Sequence, residues 1–70
     1  MKFKTYYTAL TPQEKTELAS NLRTSKAYLS QIAHGHRQAG FKFAVKIEEI
    51  TSGLCPREDI RPDIYTPYKP

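Results

Sequence analysis

The sequence predicts an all-α fold, a single small domain of about five short helices with an extended C-terminal tail. Two observations carry this. Leu18, Ala19 and Leu22, and then Leu29, Ile32 and Ala33, repeat at the i, i+3, i+4 spacing that lays apolar side chains along one helical face. Helix punctuation recurs between the apolar groups, at Thr11-Pro12, Ser25, Gly35 and Ser52-Gly53, whereas the β-branched alternation of a strand is absent.

Phe3, Tyr6, Tyr7 and Leu10 suit a short opening helix that lays an aromatic face on the core, with the tyrosine hydroxyls still able to reach water or phosphate. Thr11-Pro12-Gln13-Glu14 reads as a capping box: Thr11 accepts at the helix start, Pro12 takes the first helical position and Glu14 reaches back. A second helix therefore runs from about Pro12 to about Asn21. Ala19 matters by its size, because a small side chain lets two helices approach where they cross near a right angle. Asn21-Leu22-Arg23-Thr24 must reverse the chain, and Ser25 can accept from an amide one turn on, starting a helix from Lys26 to about Ala33. Two short helices sharing one core around a tight turn form a helix-turn-helix, a unit that reads DNA.

His34 to Gly40 loses the helical period and reads as a loop, with Gly35 placed to cap the preceding helix. Phe43 or Ala44, Ile47 and Ile50 define a fourth helix of about Phe41 to Thr51, ended by Ser52-Gly53, after which Leu54 is expected to pack back on the core. Pro56 to Ile60 offers one more helical turn before Pro62, and the tail from Asp63 to Pro70 is expected to be extended. The expected division is a helix-turn-helix domain at 1–53 and a C-terminal turn and tail at 54–70.

A chain of 70 residues buries only about 60% of its unfolded surface, so a partner subunit would add stability. A lone Cys55 forms no intrachain disulfide and fits a reducing compartment, and no apolar run approaches the roughly 20 residues of a membrane span. The N-terminus is too short and too aromatic for a secretion signal, which leaves a cytoplasmic location as the expectation. The net charge of +4 informs through its placement. From Leu18 to Ile47 there is no acidic residue, while Arg23, Lys26, Arg37, Lys42 and Lys46 are all present. Glu14, Glu17, Glu48, Glu49, Glu58, Asp59 and Asp63 lie outside that stretch. A positive stripe bounded by negative ends is the electrostatic footprint of a duplex binder.

These residues resemble the lambda Cro and phage-repressor class of helix-turn-helix proteins, and more closely the small YdaS-like Cro-type regulators of bacterial genomes and prophages. The resemblance runs through FKTYYTAL, TPQE, LAS…TSKAYLSQIAHGHR, AVKIEEIT and REDIRPD, nearly the whole chain. It implies a lambda-repressor-like fold and a sequence-specific, non-enzymatic regulator that occupies operator DNA as a homodimer without cofactor, metal or small-molecule ligand. The chain departs from this pattern at Arg23, where the family usually carries glycine because the turn wants positive φ. Either Arg23 accepts a modest strain or the turn differs.

The resemblance places Ser25, Lys26, Ala27, Ser30 and Gln31 toward the major groove and Leu29 and Ile32 toward the core. Gln31 is the chief candidate for specificity, since a carboxamide pairs with the donor and acceptor edge of adenine. Lys26 suits a guanine edge or a phosphate, Ala27 a thymine methyl, and the two serines either kind of partner. Lys15, Thr16, Tyr28, Arg37 and Lys42 are candidate phosphate contacts, which set register without reading sequence. The plainer alternative for all of them is the solvated face of an amphipathic helix.

His34, His36 and Cys55 do not make a four-ligand zinc set, and Cys55 reads as a small packing residue rather than a nucleophile. Leu54, Ile60, Ile64, Tyr65 and Tyr68 exceed what a small core can bury and are the expected dimer surface. Two rival roles stand beside the regulator: an antitoxin-like repressor of a toxin gene, and a protein-docking module that touches no DNA.

Overall fold

The computed structural model describes residues 1–65 and contains five helices in order: α1 (Phe3–Thr8), α2 (Pro12–Asn21), α3 (Lys26–Ala33), α4 (Phe41–Ile50) and α5 (Arg57–Ile60). No strand occurs among the described residues. Leu18, Ala19 and Leu22 from the α2 side meet Leu29 and Ala33 of α3, as the helical spacing requires. Phe3 and Tyr7 of α1 stack on each other at 5.6 Å in this core, and Ile47 of α4 and Cys55 join it with no exposed surface.

Side-chain caps start α2 and α3, whereas α1, α4 and α5 begin without one. The Thr11 hydroxyl accepts from the Glu14 amide at 3.1 Å while the Glu14 carboxylate accepts from the Thr11 amide at 2.8 Å, a complete capping box. Ser25 Oγ accepts from the Tyr28 amide at 3.1 Å and starts α3.

The helix ends share one device. Each of α2, α3 and α4 closes with a left-handed residue and a pair of backbone bonds that satisfy the last carbonyls. After α2 the left-handed residue is Arg23 at φ 56, with Thr24 N–H donating to Ala19 at 2.9 Å and Arg23 N–H to Ser20 at 3.1 Å. After α3 it is Gly35 at φ 80, with His36 N–H donating to Gln31 at 2.8 Å. After α4 it is Ser52 at φ 54, with Gly53 N–H donating to Glu48 at 2.9 Å. The turn between α2 and α3 thus keeps the conformation that favours glycine, and Arg23 adopts it against the clash of its own Cβ.

Three expectations are corrected. Leu54 does not return to the core but stands 54% exposed, and its neighbour Cys55 takes the inward place. The cause is the Thr51 junction, where Thr51, the residue after α4, donates its hydroxyl to the Ile47 carbonyl at 2.7 Å and accepts from the Cys55 amide at 3.1 Å. With Gly53 also at positive φ, that bond draws Cys55 rather than Leu54 inward. Burial pushes the Cys55 thiol up from its ordinary range, which makes it a packing group and a poor nucleophile.

The second correction concerns the tail, which over residues 62–64 forms a turn in place of the extended course expected from Asp63 onward. Ile64 and Tyr65 amides both donate to the Arg61 carbonyl, at 3.1 and 2.8 Å. Tyr68 and the rest of 66–70 lie outside the described residues. The third concerns Tyr7, whose hydroxyl is committed to the protein backbone as described below.

Residues beyond Gly53 brace the domain. Arg57 donates from both its amide and Nε to Glu48 Oε1, at 2.9 and 2.8 Å. Arg61 pairs through Nε and Nη2 with both oxygens of Asp63, and its Nη1 reaches the Ala39 carbonyl at 2.6 Å. The Tyr65 hydroxyl donates to the Phe41 carbonyl at 3.1 Å. The segment leading into α4 is therefore held from the far end of the chain. Asp59 meets the N-terminal ammonium at 3.0 Å and Lys2 at 3.9 Å, which joins the two ends.

Candidate nucleic-acid interface

The start of α3 is held from outside the helix-turn-helix. Tyr7 of α1 donates its hydroxyl to the Lys26 carbonyl at 3.2 Å, and Lys15 Nζ of α2 lies 5.0 Å from the centroid of the same ring. One buried tyrosine so gathers Lys15 and Lys26, two candidates separated by a turn in the sequence. Burial raises the Tyr7 phenol above its ordinary value, so it stays a neutral donor. Sequence reasoning missed this buttress, because the expected destination of the hydroxyl was water or phosphate.

A second aromatic pair organises the other flank. Tyr28 packs edge-on against Phe43 of α4, with ring centroids 5.7 Å apart and planes at 66°, and the Arg37 guanidinium lies 6.0 Å from the Tyr28 centroid. Such an arrangement holds a guanidinium in place without neutralising it. Lys42, on the first turn of α4, sits 5.9 Å from the Phe41 ring and is exposed.

Between these flanks, Ser25, Lys26, Ala27 and Gln31 are exposed, whereas Ser30 and Tyr28 are half-buried. Leu29 is fully buried and Ile32 half-buried, so the two faces of α3 separate as its period requires. Ser25 uses an oxygen lone pair in its cap and keeps its hydroxyl hydrogen to donate. Thr16 is exposed, but its hydroxyl already donates to the Pro12 carbonyl at 3.0 Å, so a phosphate must compete for that hydrogen.

The ion pairs divide the molecule. Their cations are the N-terminus, Lys2, Arg57 and Arg61. Among the described residues, Lys15, Arg23, Lys26, Arg37, Lys42 and Lys46 enter none. The acidic residue nearest in sequence to Lys15, Glu14, is engaged in the α2 cap. An exposed helical stripe flanked by unneutralised cations is the charge pattern that attracts a polyanion.

No helix among the described residues is long and apolar enough to cross a membrane, and no group of three or more His, Cys, Asp or Glu side chains gathers there to hold a metal. Compared with known proteins, residues 14–69 match the family described as bacterial toxin YdaS. Over 62 residues the chain is 39% identical to an Escherichia coli (strain K12) protein named prophage transcriptional regulatory protein, with 89% of this chain and 94% of that relative covered.

Proposed function

This chain belongs to the family described as bacterial toxin YdaS, and on that premise we propose that it is a transcriptional regulator that represses by occupying operator DNA, with α3 in the major groove. The observation that carries the reading is the exposed stripe of Lys26, Ala27 and Gln31 between cations that no carboxylate neutralises among the described residues. Ser25, Lys26, Ala27, Ser30 and Gln31 face base edges in this reading, and Lys15, Thr16, Tyr28, Arg37 and Lys42 meet phosphate. Residues 1–53 carry the DNA-facing side chains, and the segment from 54 onward braces them and offers a dimer surface.

Exposed Leu54 and Ile64, at 54% and 47%, support that surface, while Ile60 packs against the core. A symmetric dimer places two copies of α3 about 34 Å apart, in successive major grooves of a pseudo-palindrome. Acting on the chromosome, such a regulator works in the bacterial cytoplasm, with duplex DNA and a second copy of itself as partners.

The test is selection from a random duplex library at two salt concentrations, with wild type beside Gln31→Ala. One enriched palindromic motif, relaxed at a single position by Gln31→Ala with a loss of about 1–3 kcal/mol of discrimination there, supports the proposal. Salt-sensitive binding without a motif reduces the chain to a non-specific basic domain. No binding at either salt concentration moves the reading to a protein-docking module.

A further inference from the structure

The pair of histidines that lacks a metal set follows α3, and one of them has a defined tautomer. His34 is exposed, and its Nδ1 lies 2.9 Å from the Ser30 carbonyl oxygen. A carbonyl oxygen only accepts, so this bond requires the hydrogen on Nδ1. The state of Nε2 then depends on protonation alone. In the neutral ring Nε2 is a bare acceptor, and in the imidazolium it is an N–H donor carrying charge.

His34 stands seven residues after Ala27, four after Ser30 and three after Gln31, so it extends the stripe assigned to DNA by one more turn. The surroundings leave that position without a dedicated counter-charge. Lys2 and Lys4 border the α3 end beside Ala33, together with Asp59, whose carboxylate is engaged by the N-terminus and Lys2. On α2 the charged groups are Glu14, Lys15 and Glu17, with Glu14 committed to its cap. The following loop adds His36 and Arg37, and α4 adds Lys42, Lys46, Glu48 and Glu49, of which Glu48 is engaged by Arg57. Among the described residues, no carboxylate forms an ion pair with His34.

We infer that His34 is a proton-linked DNA contact: the duplex binds the imidazolium through Nε2–H to a backbone phosphate, and binding takes up a proton from solvent. This rests on the DNA-binding reading above. A phosphate oxygen accepts and carries negative charge, so it meets the neutral Nε2 lone pair unfavourably and the imidazolium favourably. The phosphate therefore raises the proton affinity of the ring in the complex. The added affinity is therefore larger at lower pH.

The experiment measures affinity for a random-sequence duplex pool at fixed ionic strength, at pH about 6 and about 8. It compares wild type with His34→Ala, His34→Arg and His36→Ala. Wild type is expected to bind roughly 3- to 10-fold tighter at the lower pH. That difference disappears in His34→Ala, which stays weak at both, and in His34→Arg, which stays tight at both. It persists in His36→Ala. A pH effect that survives His34→Ala, or that vanishes with His36→Ala, overturns the inference, as does wild-type binding that ignores pH. Absence of binding at both pH values retires the DNA reading and this inference together, whereas binding without a His34-dependent pH effect retires this inference alone.

Discussion

Arg57 and Arg61 reach carboxylates at 2.8 and 2.7 Å, while Lys26, Arg37 and Lys42 reach none among the described residues. The paired cations hold chain ends and the approach to α4, whereas the unpaired ones surround α3. A carboxylate beside Lys26 would lower the local potential and, in the proposed complex, would have to be displaced by a phosphate. The difference teaches that charge serves two ends in this small domain, since ion pairing fixes the scaffold and the absence of pairing preserves an attractive field.

The largest expected effect tests that division directly. Reversing Lys26 and Arg37 together to Glu is expected to lower duplex affinity on the order of 100-fold, and to reduce the salt slope by about one unit for each phosphate no longer neutralised. The melting temperature should hardly move, since neither residue is in an ion pair among the described residues. Arg57→Glu should give the opposite pattern, a lower melting temperature with duplex affinity per folded molecule nearly unchanged. Titration of duplex into each variant beside a thermal melt reads both, and a stability loss in the first pair of substitutions equal to that of Arg57→Glu breaks the comparison.

Acid sharpens the scaffold side. The bonds donated by Arg57 hold the Glu48 carboxyl below its ordinary value, and Arg61 does the same for Asp63. A carboxylate with a depressed folded-state value contributes stability that is present above the unfolded value and lost as pH falls through the folded one. Thermal melts from neutral to strongly acid pH should therefore fall steadily below the usual carboxylate range. Glu48→Gln should melt lower at neutral pH and lose less on further acidification. An unchanged acid dependence in Glu48→Gln removes Glu48 from the scaffold side.

Much of the fold was legible because its punctuation is local. Thr11 with Glu14, Ser25 with the Tyr28 amide and Gly35 at positive φ each act within a few residues, so the sequence carries both partners side by side. The two faces of α3 were legible for the same reason, through a period of 3.6 residues. What stayed hidden depends on pairs far apart in the chain. Nothing local links Tyr7 to the Lys26 carbonyl, or Arg61 to the Ala39 carbonyl 22 residues away. Cys55 packs inward as its small apolar character suggested, but Leu54 was misplaced, because which of two adjacent residues faces inward is decided by one bond from the Thr51 hydroxyl. Hydrophobicity favours Leu54, but backbone geometry gives the place to Cys55.

The smallest expected effect lies where the two regions meet. Arg23 holds φ 56 in the turn into α3, a conformation that a side chain bearing Cβ resists and glycine adopts freely. Its guanidinium forms no ion pair among the described residues, so it belongs to the group that sustains the field and also bears a structural cost. Arg23→Gly relieves the strain but enlarges the entropy of the unfolded chain, so the net gain should be modest, about 0.5–1 kcal/mol in a denaturant titration. The same substitution removes one positive charge near the start of α3 and should weaken duplex binding slightly and without regard to sequence. A variant that gains stability and loses affinity together identifies Arg23 as a residue kept against the preference of its own backbone for the field it supplies. A variant that gains stability at unchanged affinity places the guanidinium outside the interface, and the unpaired cations then divide into those that meet DNA and those that merely face solvent.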